Sequence, residues 1–432
     1  MSVDRADKFC VLGAGASGLT ALKNLRQAGI PCECLERGDD VGGNWYYGKP
    51  QSSVYRSVHL ISSKRLTEYT DFPMPDDYPA YPGQQQVLEY FRAYAKKFDL
   101  YPHIEFGRSV ERLEPQQDRW LVRLDGGEER IYRGVVIANG HHSDPQWPEY
   151  PGKFDGQVIH SQQYKTPEVL DGRRVLVVGA GNSGCDIAVE SAQHAAATFH
   201  SSRRGYHYLP KFLFGKPADV TGERLLRFHA PLWLRRLIAA FVTKAALGRP
   251  QDYGLPKPDH RLFESHPIVN SQMLYFVGHG LIRPKPDIQE LLPHGVRFVD
   301  GTVESLDLIV YATGYKISFP FIDTAHLNWR DGRPELFLNV FHPQRDNLFV
   351  VGLIQADSGL WCLADCQAQL IARFIKSIDA RSAQADWLRA QKSHGIDDMS
   401  SGIRYVRSPR HRLEVEHFNY RKRLERLIKR MA

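Results

Sequence analysis

Two segments constrain this fold more than anything else in the chain. They are "FCVLGAGASGLTAL", Phe9 to Leu22, and "VLVVGAGNSGCDIA", Val175 to Ala188. In each, an apolar run meets a G-x-G-x-x-G turn and then a helical pattern. Strand, tight glycine turn and helix open a βαβ unit whose helix N-terminus stabilises a pyrophosphate. In the first copy, Val11 to Gly18 is strand and turn. Leu19 to Ala28 is a helix stopped by Gly29 and Pro31. "CECLER", Cys32 to Arg37, is the second strand, and Glu36 falls 23 residues after Gly13, in register for a ribose hydroxyl. Gly13, Gly15, Ala16, Ser17, Gly18, Glu36 and Arg37 are the first set of candidate cofactor contacts.

The second copy supplies Gly179, Gly181, Asn182, Ser183 and Gly184. Its second strand, Ala197 to Ser202, ends differently, in "HSSRRG", with Arg203 24 residues after Gly179. A carboxylate there would repel a 2′-phosphate. A guanidinium with neighbouring hydroxyls would bind one bidentately. Ser201, Ser202, Arg203 and Arg204 therefore read as an NADPH site; the alternative is that the two arginines are solvated surface charge. Each unit is closed by a similar buried strand, "GVVIANG" (Gly134 to Gly140) and "LDLIVYATGY" (Leu306 to Tyr315). Two ribose readers of unlike charge suggest a hydride relay between a tightly held flavin and a diffusible nicotinamide. The expected fold class is α/β, with two Rossmann-like dinucleotide-binding domains, for FAD and NADPH, the second inserted into the first. The expected boundaries are 1–167 for the first part of the FAD domain and 168–314 for the NADP domain, with an insertion at about 205–286. Residues 315–432 form the rest of the FAD domain and a helical tail.

With 432 residues and 42% apolar content, the chain can bury a large core. Its net charge of +7 is mildly basic, but no nucleic-acid motif accompanies it. The six cysteines form no disulfide framework, and Cys362 and Cys366 lack a second pair for a zinc site, so no metal is expected. "MSVDRADKF" lacks the apolar core of a signal peptide, and no apolar run is long enough to span a membrane, which reads as a cytoplasmic protein. "DRWLVRLDGGEERIYRG" reads as a hairpin turning at Asp125 to Gly127. In the tail, Leu424, Leu427, Ile428 and Met431 share a helix face expected to pack on the parent domain. Residues 224–247 contain "LWLRRLIAAFVTKAAL", read first as a buried or domain-packing helix. A membrane interface or a substrate entrance are the alternatives.

Between the two loops, Phe154, Gly156, His160 and Tyr164 match F-x-G-x-x-x-H-x-x-x-(Y/W). "VGGNW" (Val41 to Trp45), "GLPKPDHRLFESHPIVNS" (Gly254 to Ser271), "RPKPDI" (Arg283 to Ile288) and "YATGY" (Tyr311 to Tyr315) complete a pattern over roughly residues 8 to 375. The chain resembles the flavin-containing monooxygenases of the class B flavin-dependent group. That resemblance implies FAD at the first loop and NADPH at the second. It implies a flavin hydroperoxide that passes one oxygen atom to an amine nitrogen, a sulfide sulfur or a ketone. The partners it implies are O2 and a small-molecule substrate, with no nucleic acid and no spanning segment; a homodimer is left open. It adds Gly43, Asn44, Trp45, Ser62, Ser63, Val110 and Gln367 as cofactor contacts. Asp365 becomes a neighbour of the ring or a helix cap. It gives His160 and Tyr164 a role linking NADP⁺ binding to domain geometry.

One departure stands out in "SVHLISSKR", Ser57 to Arg65. The family usually carries an asparagine before the paired serines, facing the flavin. Here the residue is Ile61, which has no donor. His59 shares a face with Ile61 if the segment is extended, so it is either a stand-in or an unrelated packed histidine. His59, Ile61 and Ser62 are the catalytic-position candidates. The departure leaves open a Baeyer–Villiger-type reaction, or an NADPH oxidase that releases peroxide.

Overall fold

The computed structural model describes residues 3–394, 398–408 and 411–432. Strand β1 (Val3–Leu12) leads into helix α1 (Ala16–Gln27), and β2 (Cys32–Glu36) returns beside it. Helices α2 (Lys64–Thr67) and α3 (Gln84–Lys97) precede the short β3 (Ile104–Phe106). Strands β4 (Val110–Gln116), β5 (Arg119–Leu124) and β6 (Glu129–Ile137) form a meander, with the expected turn at Asp125–Gly127. The strands order β3-β2-β1-β6-β5-β4, and the late strand Leu348–Val350 pairs in parallel with β6. Phe9 to Leu12 is buried without alternation, as a parallel strand covered on both faces must be.

The second sheet repeats this plan. Five parallel strands run in the order Ile282–Lys285, Ala197–Ser201, Arg174–Val178, Leu308–Tyr311 and Gln157–His160. In both sheets the strand before the glycine turn lies between its βαβ partner and the closing strand. Helix α4 (Asn182–His194) corresponds to α1. The strand Gln157–His160 lies before residue 168 yet pairs with Leu308–Tyr311. The expected boundary at 168 is therefore corrected to a point ahead of residue 157. The fingerprint Phe154 to Tyr164 enters the second unit rather than merely preceding it.

The insertion holds α5 (Ala218–Arg227), α6 (Leu232–Leu247) and α7 (Gln272–Gly278). The expectation of a buried α6 is overturned: neither α5 nor α6 buries a single residue. The positions turned toward the protein include Arg235, over the Phe263 ring, and Arg236, paired with Glu264.

The chain then returns to the first unit through α8 (Trp361–Asp379), α9 (Ala383–Ser393) and α10 (His417–Arg430). The tail is not helical throughout, because Glu414–Val415 is a strand paired with Gln355–Ala356. Helix α10 packs as its periodicity predicts. Leu424, Ile428 and the following Met431 are buried in the same core as α1 and α8. Each fully buried Leu or Ile there contributes about 1.5–3 kcal/mol.

Candidate cofactor and active site

The two glycine turns are built alike, atom for atom. Gly13 and Gly179 have φ of 100° and 115°, a conformation that side chains resist. A Cβ on Gly13 would lie 2.9 Å from the Ala138 carbonyl oxygen, and one on Gly179 would lie 2.4 Å from that of Ala312. Each alanine follows its unit's closing strand. Gly18 and Gly184 are tighter still: a Cβ would lie 1.7 Å from the Gly13 oxygen and 1.9 Å from the Gly179 oxygen. Helices α1 and α4 begin at Gly15 and Gly181 with no side-chain cap and no acid in the first turn. Their leading amides are thus left for an anion, which the helix dipole also favours. Ala16 and Ser17 sit in that first turn of α1. Ser17 packs on Gly352, where a Cβ would fall 2.1 Å from its hydroxyl oxygen. Gly43 crosses Gly15 so closely that a Cβ on it would meet the Gly15 Cα at 2.9 Å.

The two strand ends differ in charge and in burial. Buried Glu36 accepts hydrogen bonds from the Ala14 amide (2.6 Å) and the Gly38 amide (2.7 Å). A carboxylate has about four acceptor sites, so two remain for ribose hydroxyls. Arg37 is exposed beside it. Val110 opens β4 close by, since the Arg108 amide donates to the Glu36 carbonyl (2.9 Å). In the second unit Arg203 is exposed and has no ion-pair partner among the described residues. Two other residues of "HSSRRG" have partners inside the protein. The Arg204 guanidinium donates to Asp259 through Nε and Nη2, at 3.1 and 2.7 Å, and the Ser201 hydroxyl donates to the Pro286 carbonyl at 2.7 Å. Ser202 is buried and Ser183 is exposed. Asn182 is also committed. Its amide donates to the Pro267 carbonyl (3.0 Å) and accepts from the Val269 amide (2.9 Å), pinning the insertion to the second turn.

Arg203 is thus the one free guanidinium at this strand end. Arg203→Ala is expected to raise the KM for NADPH about 10- to 100-fold, the worth of a charge-assisted pair, and to change that for NADH little. Steady-state kinetics with both nucleotides checks this.

The fingerprint bridges the units. The Tyr164 hydroxyl donates to Glu190 on α4 (2.6 Å), and the Ser57 hydroxyl donates to the same oxygen (2.9 Å). Lys165 donates to the Ser52 carbonyl at 2.5 Å, and the Arg56 amide donates to the Lys165 carbonyl at 2.8 Å. The segment leading to Ile61 is therefore tied to α4 through residues 164 and 165. Nδ1 of buried His160 accepts from the Gln162 amide (3.1 Å), and the ring lies between Trp147 and Tyr315. Burial lowers its pKa and favours the neutral ring.

Around Ile61 the structure corrects several expectations. Ile61 is half-buried. His59 Nδ1 is 3.2 Å from the Ser57 carbonyl, and Nε2 meets Lys211 Nζ. Both ring nitrogens are engaged, so His59 has none left to replace the missing amide. The Ser62 hydroxyl pairs with that of Thr67 (2.9 Å), and the Ser63 amide donates to Asp219 (2.6 Å). The Asn44 side-chain oxygen accepts from the Ser53 amide (2.7 Å) and hydroxyl (2.8 Å), and Trp45 meets Trp361 edge-on. Gln367 is fully buried. Its oxygen accepts from the Gly352 amide (2.9 Å) and its nitrogen donates to Tyr420 (2.8 Å), so it ties α8 to α10. Asp365 is not a cap, since it lies inside α8: it is buried with Lys23, Thr20, Asn24 and Thr70.

Sequence reasoning missed Glu190, Lys165, Lys211 and Asp219. All four act by contacts distant in sequence. Ala138 and Ala312 were within reach, because they occupy the same place in "VVIANG" and "IVYATG".

Two uncapped glycine turns, one beside a buried carboxylate and the other beside an exposed guanidinium, are the geometry of a protein with two dinucleotide-binding units. A family model described as FMO-like, flavin-binding monooxygenase-like, matches residues 6–430, and the chain belongs to that family. It is 33% identical over 444 residues to flavin-containing monooxygenase 5 of Homo sapiens, covering 98% of this chain and 82% of that protein. Among solved structures, the S-allyl-L-cysteine S-oxygenase of Allium sativum aligns at TM-score 0.67 and 22% identity, covering 99% of this chain and 89% of the other. An ε-caprolactone-bound cyclohexanone monooxygenase aligns at 0.71 and 20%, covering 99% and 98%. The protein is an FAD-dependent monooxygenase that uses NADPH.

Proposed function

We propose that the enzyme uses NADPH and O2 to place one oxygen atom on a small-molecule soft nucleophile, an amine nitrogen or a sulfide sulfur, or on a ketone. The observation that carries the reading is the pairing of unlike ribose readers across a direct bridge: Glu36 in one unit, free Arg203 in the other, and Tyr164–Glu190–Ser57 between them. Bound FAD supplies the redox and oxygen chemistry. The protein's part is placement. Glu36 and the α1 amides would hold the flavin nucleotide, and Arg203 with the α4 amides would hold the phosphorylated nicotinamide. The bridge makes the position of α4 felt at residues 57–63. The cytoplasm is the proposed location.

A second reading, peroxide release without full transfer, is favoured by Ile61. Neither Ile61 nor the engaged His59 offers a hydrogen bond at the position where the family carries an amide. Ile61→Asn is expected to lower hydrogen peroxide release per NADPH by about fivefold, the worth of one added hydrogen bond near ~1 kcal/mol. An unchanged ratio would place residue 61 away from the reacting centre. The main reading is tested by a panel of amines, sulfides and ketones scored by product. A mainly ketone-derived ester profile would favour the Baeyer–Villiger form of the reaction.

A further inference from the structure

In each glycine turn one carbonyl is held by a side chain from the next strand. Val11 pairs in register with Cys34 in the first sheet, and Val177 pairs with His200 in the second. Cys34 and His200 therefore occupy the same place beside their turns. The Cys34 thiol donates to the Gly13 carbonyl (3.4 Å), and His200 Nε2 donates to the Gly179 carbonyl (3.1 Å). Neither carbonyl takes a backbone N–H among the described residues. Burial pushes the His200 pKa down to about 4, so the ring is neutral. A carbonyl oxygen only accepts, so the ring's single hydrogen is on Nε2. Nδ1 is buried without a partner among the described residues.

A held carbonyl fixes the amide that follows it, because the two ends of a planar trans peptide move together. In the first unit both ends of the Gly13–Ala14 peptide are tied to β2. The oxygen is tied to Cys34, and the Ala14 N–H to Glu36, two residues further along the strand (2.6 Å). In the second unit the equivalent peptide is Gly179–Ala180. Its oxygen is tied to His200, but the N–H of buried Ala180 has no partner among the described residues. Ser202 stands where the first unit has Glu36, and its hydroxyl has no partner among them either. A short neutral side chain thus replaces a carboxylate, with exposed Arg203 next to it. A buried amide left unpaired is rare, because it costs about as much as a lost hydrogen bond. The anion that Glu36 provides in the first unit has to arrive with the ligand in the second. We infer that His200 is a positioning residue for nucleotide selection: by holding the Gly179 carbonyl it aims the Ala180 amide, which takes a 2′-phosphate together with Ser202 and Arg203. The inference rests on the placement of NADPH at the second turn.

Calorimetric titration of NADP⁺ and of NAD⁺ into the oxidised, FAD-loaded enzyme tests this. His200→Leu removes the donor and keeps an apolar side chain in the buried space. It is expected to weaken NADP⁺ about tenfold, the worth of a hydrogen bond to a charged group, and NAD⁺ by less than about threefold. His200→Met, also without a donor, carries the same expectation and serves if the leucine variant does not fold. Flavin content is expected to stay at the wild-type level, because Cys34 and Glu36 hold the other turn. His200→Gln keeps a donor and is expected to remain within about threefold of the wild type for both nucleotides. Equal weakening of both nucleotides by the donorless variants, or weakening of neither, overturns the proposal. So does a His200→Gln variant that binds NADP⁺ as weakly as they do. Arg203→Ala separates this failure from failure of the underlying placement. If Arg203→Ala binds NADP⁺ as the wild type does, the placement of NADPH falls and the proposal with it. If Arg203→Ala weakens NADP⁺ and the donorless His200 variants do not, only the role of His200 falls.

Discussion

Gly18→Ala is expected to give colourless protein, whereas Gly184→Ala is expected to give yellow protein that NADPH cannot reduce. The two glycines are equivalent in geometry. An added methyl would lie 1.7 Å from the Gly13 oxygen in one and 1.9 Å from the Gly179 oxygen in the other. No rotamer relieves such an overlap, because both partners are backbone. The turn must open, and the amides at the helix N-terminus then lose their aim at the pyrophosphate. The consequences diverge because the cradles are assigned different cofactors. Flavin absorbance, anaerobic reduction by NADPH and reduction by dithionite separate them. The Gly184 variant is expected to respond to dithionite alone. If both variants keep normal flavin and normal reduction by NADPH, the cradles are not where the nucleotides bind.

Asp365→Ala is expected to destabilise the fold by about 3–5 kcal/mol, the usual loss on removing one partner of a buried ion pair. Asp365 on α8 is buried and lies 3.1 Å from the ammonium of Lys23 on α1, also buried. It also accepts from Asn24 at 2.7 Å, from Thr20 and Thr70, and from Gln369 at 3.1 Å. Truncation leaves those donors unmatched in a core that water cannot reach. Lys23 keeps Asp71, at 2.7 Å, and the Asn24 side-chain oxygen, at 3.3 Å. Burial by itself would raise the Asp365 pKa. The Lys23 charge and the hydrogen bonds from Thr20, Thr70 and Asn24 outweigh it, and the carboxyl titrates below its ordinary value. A lowered folded-state pKa gives stability that is present above the unfolded pKa and lost as pH falls through the folded one. The gap in chemical denaturation between wild type and variant should therefore be full near neutrality and shrink in acid. A gap that widens in acid would contradict the assignment.

What the sequence made legible was the part governed by local geometry. The glycine turns, their flanking strands, the acid at position 36 and the arginine at 203 all follow from spacing within a βαβ unit. Both loops landed where that spacing put them. What stayed hidden was set by contacts across the fold. Gln367 matches a flavin-facing stretch along the chain, and nothing near it in sequence announces its bonds to Gly352 and Tyr420. Asn182 and Arg204 look available beside the second turn until residues 259–269 fold over them. His59 shows the same effect, since nothing near it in sequence announces Lys211. Helix α6 failed for a different reason. Its composition is that of a buried helix, and composition cannot say which face a tertiary structure leaves uncovered.

The most direct test of the account is a single-turnover reaction in isotopically labelled O2, with NADPH as the only reductant and a sulfide, amine or ketone acceptor present. The account predicts labelled oxygen in the organic product, approaching one atom per NADPH consumed. Recovery of all the label as hydrogen peroxide and water, with no labelled product from any acceptor, would contradict it.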